Sequence, residues 1–136
     1  MQLKGHDRPL TCVVFNKDND LLLTCGREGL INIWFTENGE RLGTLQHDGA
    51  VLGCAITNDS KTLISASADC SMRMWNVYTG AEKVRYNYDS VVRSVCFSTK
   101  DDLFAVTLNK SAKRASSCEI YSTEEYVLRG RDRALV

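Results

Sequence analysis

The sequence predicts an all-β fold in which one small antiparallel sheet is built, closed by a turn, and built again. Two observations predict it. Short apolar stretches alternate with turn clusters along the whole chain, and the pattern returns at a fixed stride. His6 and His47 lie 41 residues apart, as do Thr24 and Ser65, Trp34 and Trp75, and Gly39 and Gly80. Tyr88 falls 41 beyond His47, and His6, His47 and Tyr88 each precede an aspartate, Asp7, Asp48 and Asp89. A single matched tryptophan carries no weight. This many positions at one spacing mark an internal repeat.

The first repeat, about 3–45, opens at Gly5-His6. Residues 10–15 (LTCVVF) are almost continuously apolar, as expected of a strand covered on both faces. The cluster 16–20 (NKDND) turns the chain into a second strand at 21–26 (LLLTCG), and 27–29 (REG) turns it into a third at 30–35 (LINIWF). Asn38-Gly39 is a strong hairpin signal, and it leads to a fourth strand at 41–45. The second repeat, about 46–86, copies this register with strands at 51–56, 62–67, 72–77 and 82–86.

The third repeat, about 87–130, starts in the same way with strands at 91–97 and 103–108. It then departs: 109–117 (NKSAKRASS) lengthens the loop, Tyr121 arrives late in place of the tryptophan, and 125–130 (EYVLRG) reads as the fourth strand. Residues 131–136 read as the start of a fourth repeat, with Arg131 where His6 stood.

Four-stranded sheets repeating every 40–45 residues, with a Gly-His opening and a Trp closing, resemble the blades of a WD-repeat β-propeller. The expected fold is therefore all-β, a WD-repeat β-propeller with about three four-stranded blades present of a ring that can close with four to eight. Three blades leave two apolar flanks open, so the chain is expected to be part of a longer protein, or to be oligomeric or poorly soluble alone. Ring completion by self-association is the alternative.

Composition narrows the function classes. The 136 residues carry 17 basic and 17 acidic side chains, so net charge gives no general attraction to nucleic acid or anionic membrane. No apolar run is long enough to span a bilayer and no signal segment opens the chain, so membrane insertion and secretion are not expected. The cysteines Cys12, Cys25, Cys54, Cys70, Cys96 and Cys118 contain no C-x-x-C pair, and the two histidines supply no zinc spacing. They read as reduced core thiols of a cytoplasmic protein, and no metal or cofactor is expected.

The side chains that stand out are His47, Ser65, Asp69 and Trp75, with His6, Thr24, Glu28 and Trp34 at the matching places. They resemble the structural tetrad of WD repeats. In it the indole N–H donates to the hydroxyl, the hydroxyl to the imidazole, and the imidazole to the carboxylate. Each link is worth about 1–2 kcal/mol. The competing reading is a His–Asp–Ser hydrolytic triad; recurrence in a copied register, with Trp at the fourth corner, favours structure over catalysis.

The longer carboxylate of Glu28 should leave the first tetrad looser. Tyr88, Val106 and Tyr121 should leave the third repeat with no network, relying on packing alone and least rigid. Lys110, Lys113 and Arg114 form a candidate partner loop, and Arg129, Arg131 and Arg133 a second basic cluster; a solvated surface is the default reading for both. Direct RNA contact is not expected, because no RNA-binding motif accompanies them.

Residues 5–11 (GHDRPLT), 32–45 (NIWFTENGERLGTL), 67–76 (SADCSMRMWN) and 90–97 (SVVRSVCF) are together similar to the WD-repeat subunit I family of eukaryotic translation initiation factor 3, over residues 1 to about 121. The segment 38–44 (NGERLGT) is its most family-specific piece. The resemblance implies a non-enzymatic, cytoplasmic, seven-bladed scaffold within initiation factor 3, supporting assembly on the small ribosomal subunit and mRNA recruitment. It also implies binding to the B and G subunits of that complex. In the family the contact to the first of these, the large scaffold component, falls largely on later blades, so no partner-binding residue carries over. The competing readings are another cytosolic WD adaptor, kinase-receptor-associated or G-protein-β-like, or a truncated copy without function. An enzyme is disfavoured by the lack of an acid/base pair, nucleophile elbow or phosphate loop.

Overall fold

The computed structural model describes residues 1–136. Eleven six-residue strands come first: β1 (Leu10–Phe15), β2 (Leu21–Gly26), β3 (Leu30–Phe35), β4 (Arg41–Gln46), β5 (Val51–Ile56), β6 (Thr62–Ser67), β7 (Ser71–Asn76), β8 (Glu82–Asn87), β9 (Val92–Phe97), β10 (Leu103–Leu108) and β11 (Ser117–Ser122). Two short helices follow, α1 (Thr123–Arg129) and α2 (Arg131–Ala134). The strands form three antiparallel sheets in the orders β1-β2-β3-β4, β5-β6-β7-β8 and β9-β10-β11.

The 41-residue stride is written into the turns. Asn19, Ser60 and Asp101 all take a left-handed backbone, at φ 59°, 61° and 61°, between the first and second strands of their sheets. Just before that bend, the side chains of Asn16, Thr57 and Ser98 accept the backbone N–H groups of Leu21, Thr62 and Leu103. Gly39 and Gly80, at φ 72° and 73°, turn the third strand into the fourth. These are positions at which polar residues and glycine bend the chain at least cost.

The second sheet is buried on both faces. Leu63 and Trp75 join Leu21, Leu23, Ile31 and Val51 between the first and second sheets. Ile64, Met72 and Met74 join Val95, Phe104 and Tyr121 between the second and third. This is why β6 is almost continuously apolar or small and β7 presents Met72, Met74 and Trp75 to the core. At about 25 cal/mol per Å² of apolar surface removed from water, these two layers supply the main cohesion of the chain. The outer face of β1 is open, with Leu10, Val13 and Phe15 each more than half exposed.

Two expectations fail in the third repeat. Its sheet has three strands, and residues 125–130, expected as the fourth strand, lie mostly in α1. Ser122 caps that helix by accepting from the Glu125 N–H, and Glu124 and Glu125 sit in its first turn. Ser-x-x-Glu is a helix-start signal, whereas the first two repeats carry Asn-Gly and Thr-Gly at the corresponding turns. Residues 131–136 do not open a fourth sheet. They form α2, and the chain then returns to β11 through a single bridge from Leu135 to Tyr121. Tyr126 and Ala134 seal the core on that side.

Candidate functional site

The second sheet holds the most complete polar constellation. The Trp75 indole N–H donates to Ser65 Oγ at 2.9 Å, and Ser65 Oγ lies 2.6 Å from His47 Nε2. His47 Nδ1 lies 2.9 Å from Asp69 Oδ2. A carboxylate only accepts, so His47 is protonated at Nδ1 and takes the serine proton at Nε2. Burial pulls the His47 pKa below its ordinary value despite the neighbouring Asp69, so the ring is neutral. Burial alone would raise Asp69, but hydrogen bonds from Ser71 and His47 outweigh it and hold the carboxyl at about 2.

Asp69 is the hub of this network. Its Oδ2 also accepts from the Asp48 backbone N–H at 3.1 Å and from Arg73 Nη2 at 3.0 Å. Its Oδ1 accepts from the N–H and hydroxyl of Ser71 at 2.9 and 2.6 Å. Arg73, almost wholly buried, donates in addition to Ser71 Oγ and to the Gln46 carbonyl. Sequence reasoning missed it. Its signal was a lone charge set between methionines in an otherwise apolar strand.

In the first sheet the Trp34 indole N–H donates to Thr24 Oγ1 at 2.9 Å, and Thr24 Oγ1 lies 2.7 Å from His6 Nε2. His6 Nδ1 reaches Glu28 Oε1. The carboxylate is less well held than its counterpart, because Glu28 Oε2 is buried without a partner. Asn32 stands where Arg73 stands in the second sheet, and it donates to the Gly5 carbonyl at 2.9 Å instead of to a carboxylate.

The third sheet lacks a tetrad but has a network, contrary to expectation. Arg131 binds Glu119 through two contacts of 2.6 and 2.8 Å. It also donates to the hydroxyls of Tyr121 at 2.9 Å and Tyr86 at 3.0 Å. Its guanidinium lies 4.7 and 4.9 Å from the ring centres of Tyr86 and Tyr88, within cation–π range. Tyr88 and Tyr121 meet through their hydroxyls at 3.1 Å. Val106, at the serine position, is buried in the core. Tyr88 and Tyr121 thus stand in place of the histidine and tryptophan, and an arginine drawn from beyond the sheet ties the network together.

The partner-loop residues divide. Arg114 folds back onto Asp89 at 2.6 Å and onto Ser90 and Ser117 at 2.8 Å each. Its hydrogen bond holds the Asp89 carboxyl below the ordinary range. Lys110 and Lys113 remain exposed.

The cysteines divide as well. Cys96 on β9 and Cys118 on β11, expected as core thiols, are exposed. Cys12, Cys25 and Cys54 come together, with their sulfurs all within 4.8 Å of one another. Hydrogen bonding among them lowers the half-buried Cys12 thiol and raises Cys25 and Cys54. The sequence hid this cluster because its members are far apart along the chain and share no motif.

The WD domain, G-beta repeat family matches residues 1–34 and 39–76. Among curated proteins, eukaryotic translation initiation factor 3 subunit I of Schizosaccharomyces pombe is 43% identical over 107 residues, covering 77% of this chain and 33% of that protein. The subunit I of Saccharomyces cerevisiae is 35% identical over 125 residues, covering 91% of this chain and 36% of that protein. The chain thus spans about a third of the length of the curated relatives it matches.

Among solved structures, U3-55K superposes with a TM-score of 0.81 at 21% identity, over 98% of this chain and 40% of its own. The Myceliophteria thermophila Cps50 (Swd1) β-propeller domain gives 0.75 at 18% identity, over 86% of this chain and 36% of its own. At such identities these two likenesses speak for the propeller fold.

Proposed function

Because the chain belongs to the WD-repeat family, we propose that it is a non-catalytic scaffold of the initiation factor 3 subunit I type. It acts in the cytoplasm by holding the B and G subunits of that complex together on the small ribosomal subunit, where mRNA is recruited. The observation that carries this reading is the 43% identity to the fission-yeast subunit over 107 residues. Relatives of that name recur in budding yeast and in Caenorhabditis briggsae.

The polar site supports a static role. Ser65 is fully buried, and its hydroxyl is engaged by Trp75 and His47, so it has no path to a substrate. The neutral His47 is spent on orienting Asp69. Rigid sheets displaying variable loops suit a protein that binds others by shape and polar complementarity. Arg114 and Arg131 are occupied by Asp89 and Glu119, which favours protein over RNA as the contacting partner. No helix is long and apolar enough to cross a membrane.

The test is affinity capture of the tagged 136-residue chain from a eukaryotic lysate, with quantitative detection of initiation factor 3 components. Enrichment of the G subunit, with or without the B subunit whose contact falls largely on later blades, is the expected outcome. Recovery of neither, from a chain that is folded by circular dichroism, would overturn the assignment.

A further inference from the structure

We propose that Cys12, Cys25 and Cys54 form a trithiol site for a trivalent thiophilic centre of the arsenite class, bridging the first and second sheets. Cys12 and Cys25 face each other across the β1–β2 ladder, and Cys54 reaches them from β5 of the next sheet. The Cys25 and Cys54 sulfurs are 3.3 Å apart, and all three lie within 4.8 Å. A central atom about 2.3 Å from each sulfur, the usual metal–thiolate length, needs sulfurs about 3.5–4 Å apart. The 3.3 Å pair and the 4.8 Å limit on the others lie within about 1.5 Å of that value, a span that side-chain rotation covers.

Coordination number and charge select the occupant. The cluster offers three donors, and Cys25 and Cys54 sit among Leu23, Ile31 and Val51 in an apolar core. Zinc takes four ligands in closed sites. Three thiolates around a monovalent ion would leave two negative charges in that core, and around a divalent ion one; such burial is costly. A trivalent centre leaves none. With arsenous acid, three As–S bonds form and three As–O bonds break. The three thiol protons leave with the three hydroxyls as water, arsenic stays trivalent, and the product is neutral. Entry is open, since Cys12 is only half-buried and Cys54 borders a groove of about 500 Å³ shared with Val14, Ile56 and Phe97.

The experiment uses the 136-residue chain with Cys70→Ser, Cys96→Ser and Cys118→Ser, fully reduced and titrated with sodium arsenite at neutral pH. Native mass spectrometry should show one arsenic bound with loss of three protons, together with loss of all three titratable thiols. Adding Cys12→Ser, at a half-buried position, should weaken binding about a hundredfold or more by removing one arm of the chelate. Arsenic X-ray absorption on the unweakened protein should show three sulfur neighbours. Failure to bind, binding indifferent to Cys12→Ser, an oxygen neighbour on arsenic, or displacement by equimolar zinc would each overturn the site.

Discussion

Removing the Ser65 hydroxyl is the sharpest perturbation of the second sheet. Ser65 is fully buried, accepts from the Trp75 indole at 2.9 Å and lies 2.6 Å from His47 Nε2. Ser65→Ala leaves a buried N–H donor and a buried imidazole acceptor without partners. Each orphaned group costs about 1–3 kcal/mol, so the substitution should destabilise by about 3 kcal/mol. For a chain of this length that corresponds to a fall in Tm of about 10 °C.

The first sheet supplies an internal control. Thr24→Val removes the same two bonds there, but Asn32 Nδ2 already lies 3.2 Å from His6 Nε2 and can serve that acceptor. The cost should be about half as large. Adding Trp75→Phe to Ser65→Ala removes one of the orphans, so the pair should fall short of additivity by about 1 kcal/mol. Urea unfolding followed by circular dichroism reads each of these proteins. A Ser65→Ala loss of under about 1 kcal/mol, or strict additivity with Trp75→Phe, would refute the idea that the tetrad is a connected network.

Two further outcomes follow from the other groups. Arg131→Ala unties Glu119, Tyr121 and Tyr86 at once, and amide exchange in β11 and at the end of β8 should accelerate at least about tenfold while β6 is unchanged; equal acceleration in β6 would contradict a local clamp. Acidification should lower stability in two stages. His47 has a folded pKa below its ordinary 6.5, so the unfolded chain takes up protons first, and stability present above about 6.5 is lost as pH falls. Asp69, held at about 2 against an ordinary 3.8, adds a second loss below about pH 4. Unfolding midpoints between about pH 8 and pH 3 should lose the first stage in His47→Gln and the second in Asp69→Asn, and a stability that rises on going from about pH 7 to pH 5 would sink the assignment.

Much of the fold was legible because a period is a one-dimensional quantity. The stride that pairs Trp34 with Trp75 also locates the hairpins, and the tetrad partners follow from the same register. What stayed hidden depended on distance in space. Arg131 aligns with His6 along the chain, but nothing in the sequence says that it turns back onto Glu119 and the tyrosines instead of opening a new sheet. The Cys12, Cys25 and Cys54 cluster needs two sheets to be packed before it exists. The helix at Thr123–Arg129 is a different kind of miss: its Ser122-x-x-Glu125 start signal is present, and the repeat pattern overrode it.

The borrowed arginine of the third sheet also fixes an order of events during vectorial synthesis. The first two sheets carry every member of their tetrads between the leading histidine and the trailing tryptophan, so each can lock as soon as its own tryptophan has left the exit tunnel. The third must wait for Arg131, beyond Tyr121, roughly a second later at usual elongation speeds. Until then Glu119 lacks the Arg131 counter-charge, and a nascent-chain chaperone would meet this edge as an unfinished seam.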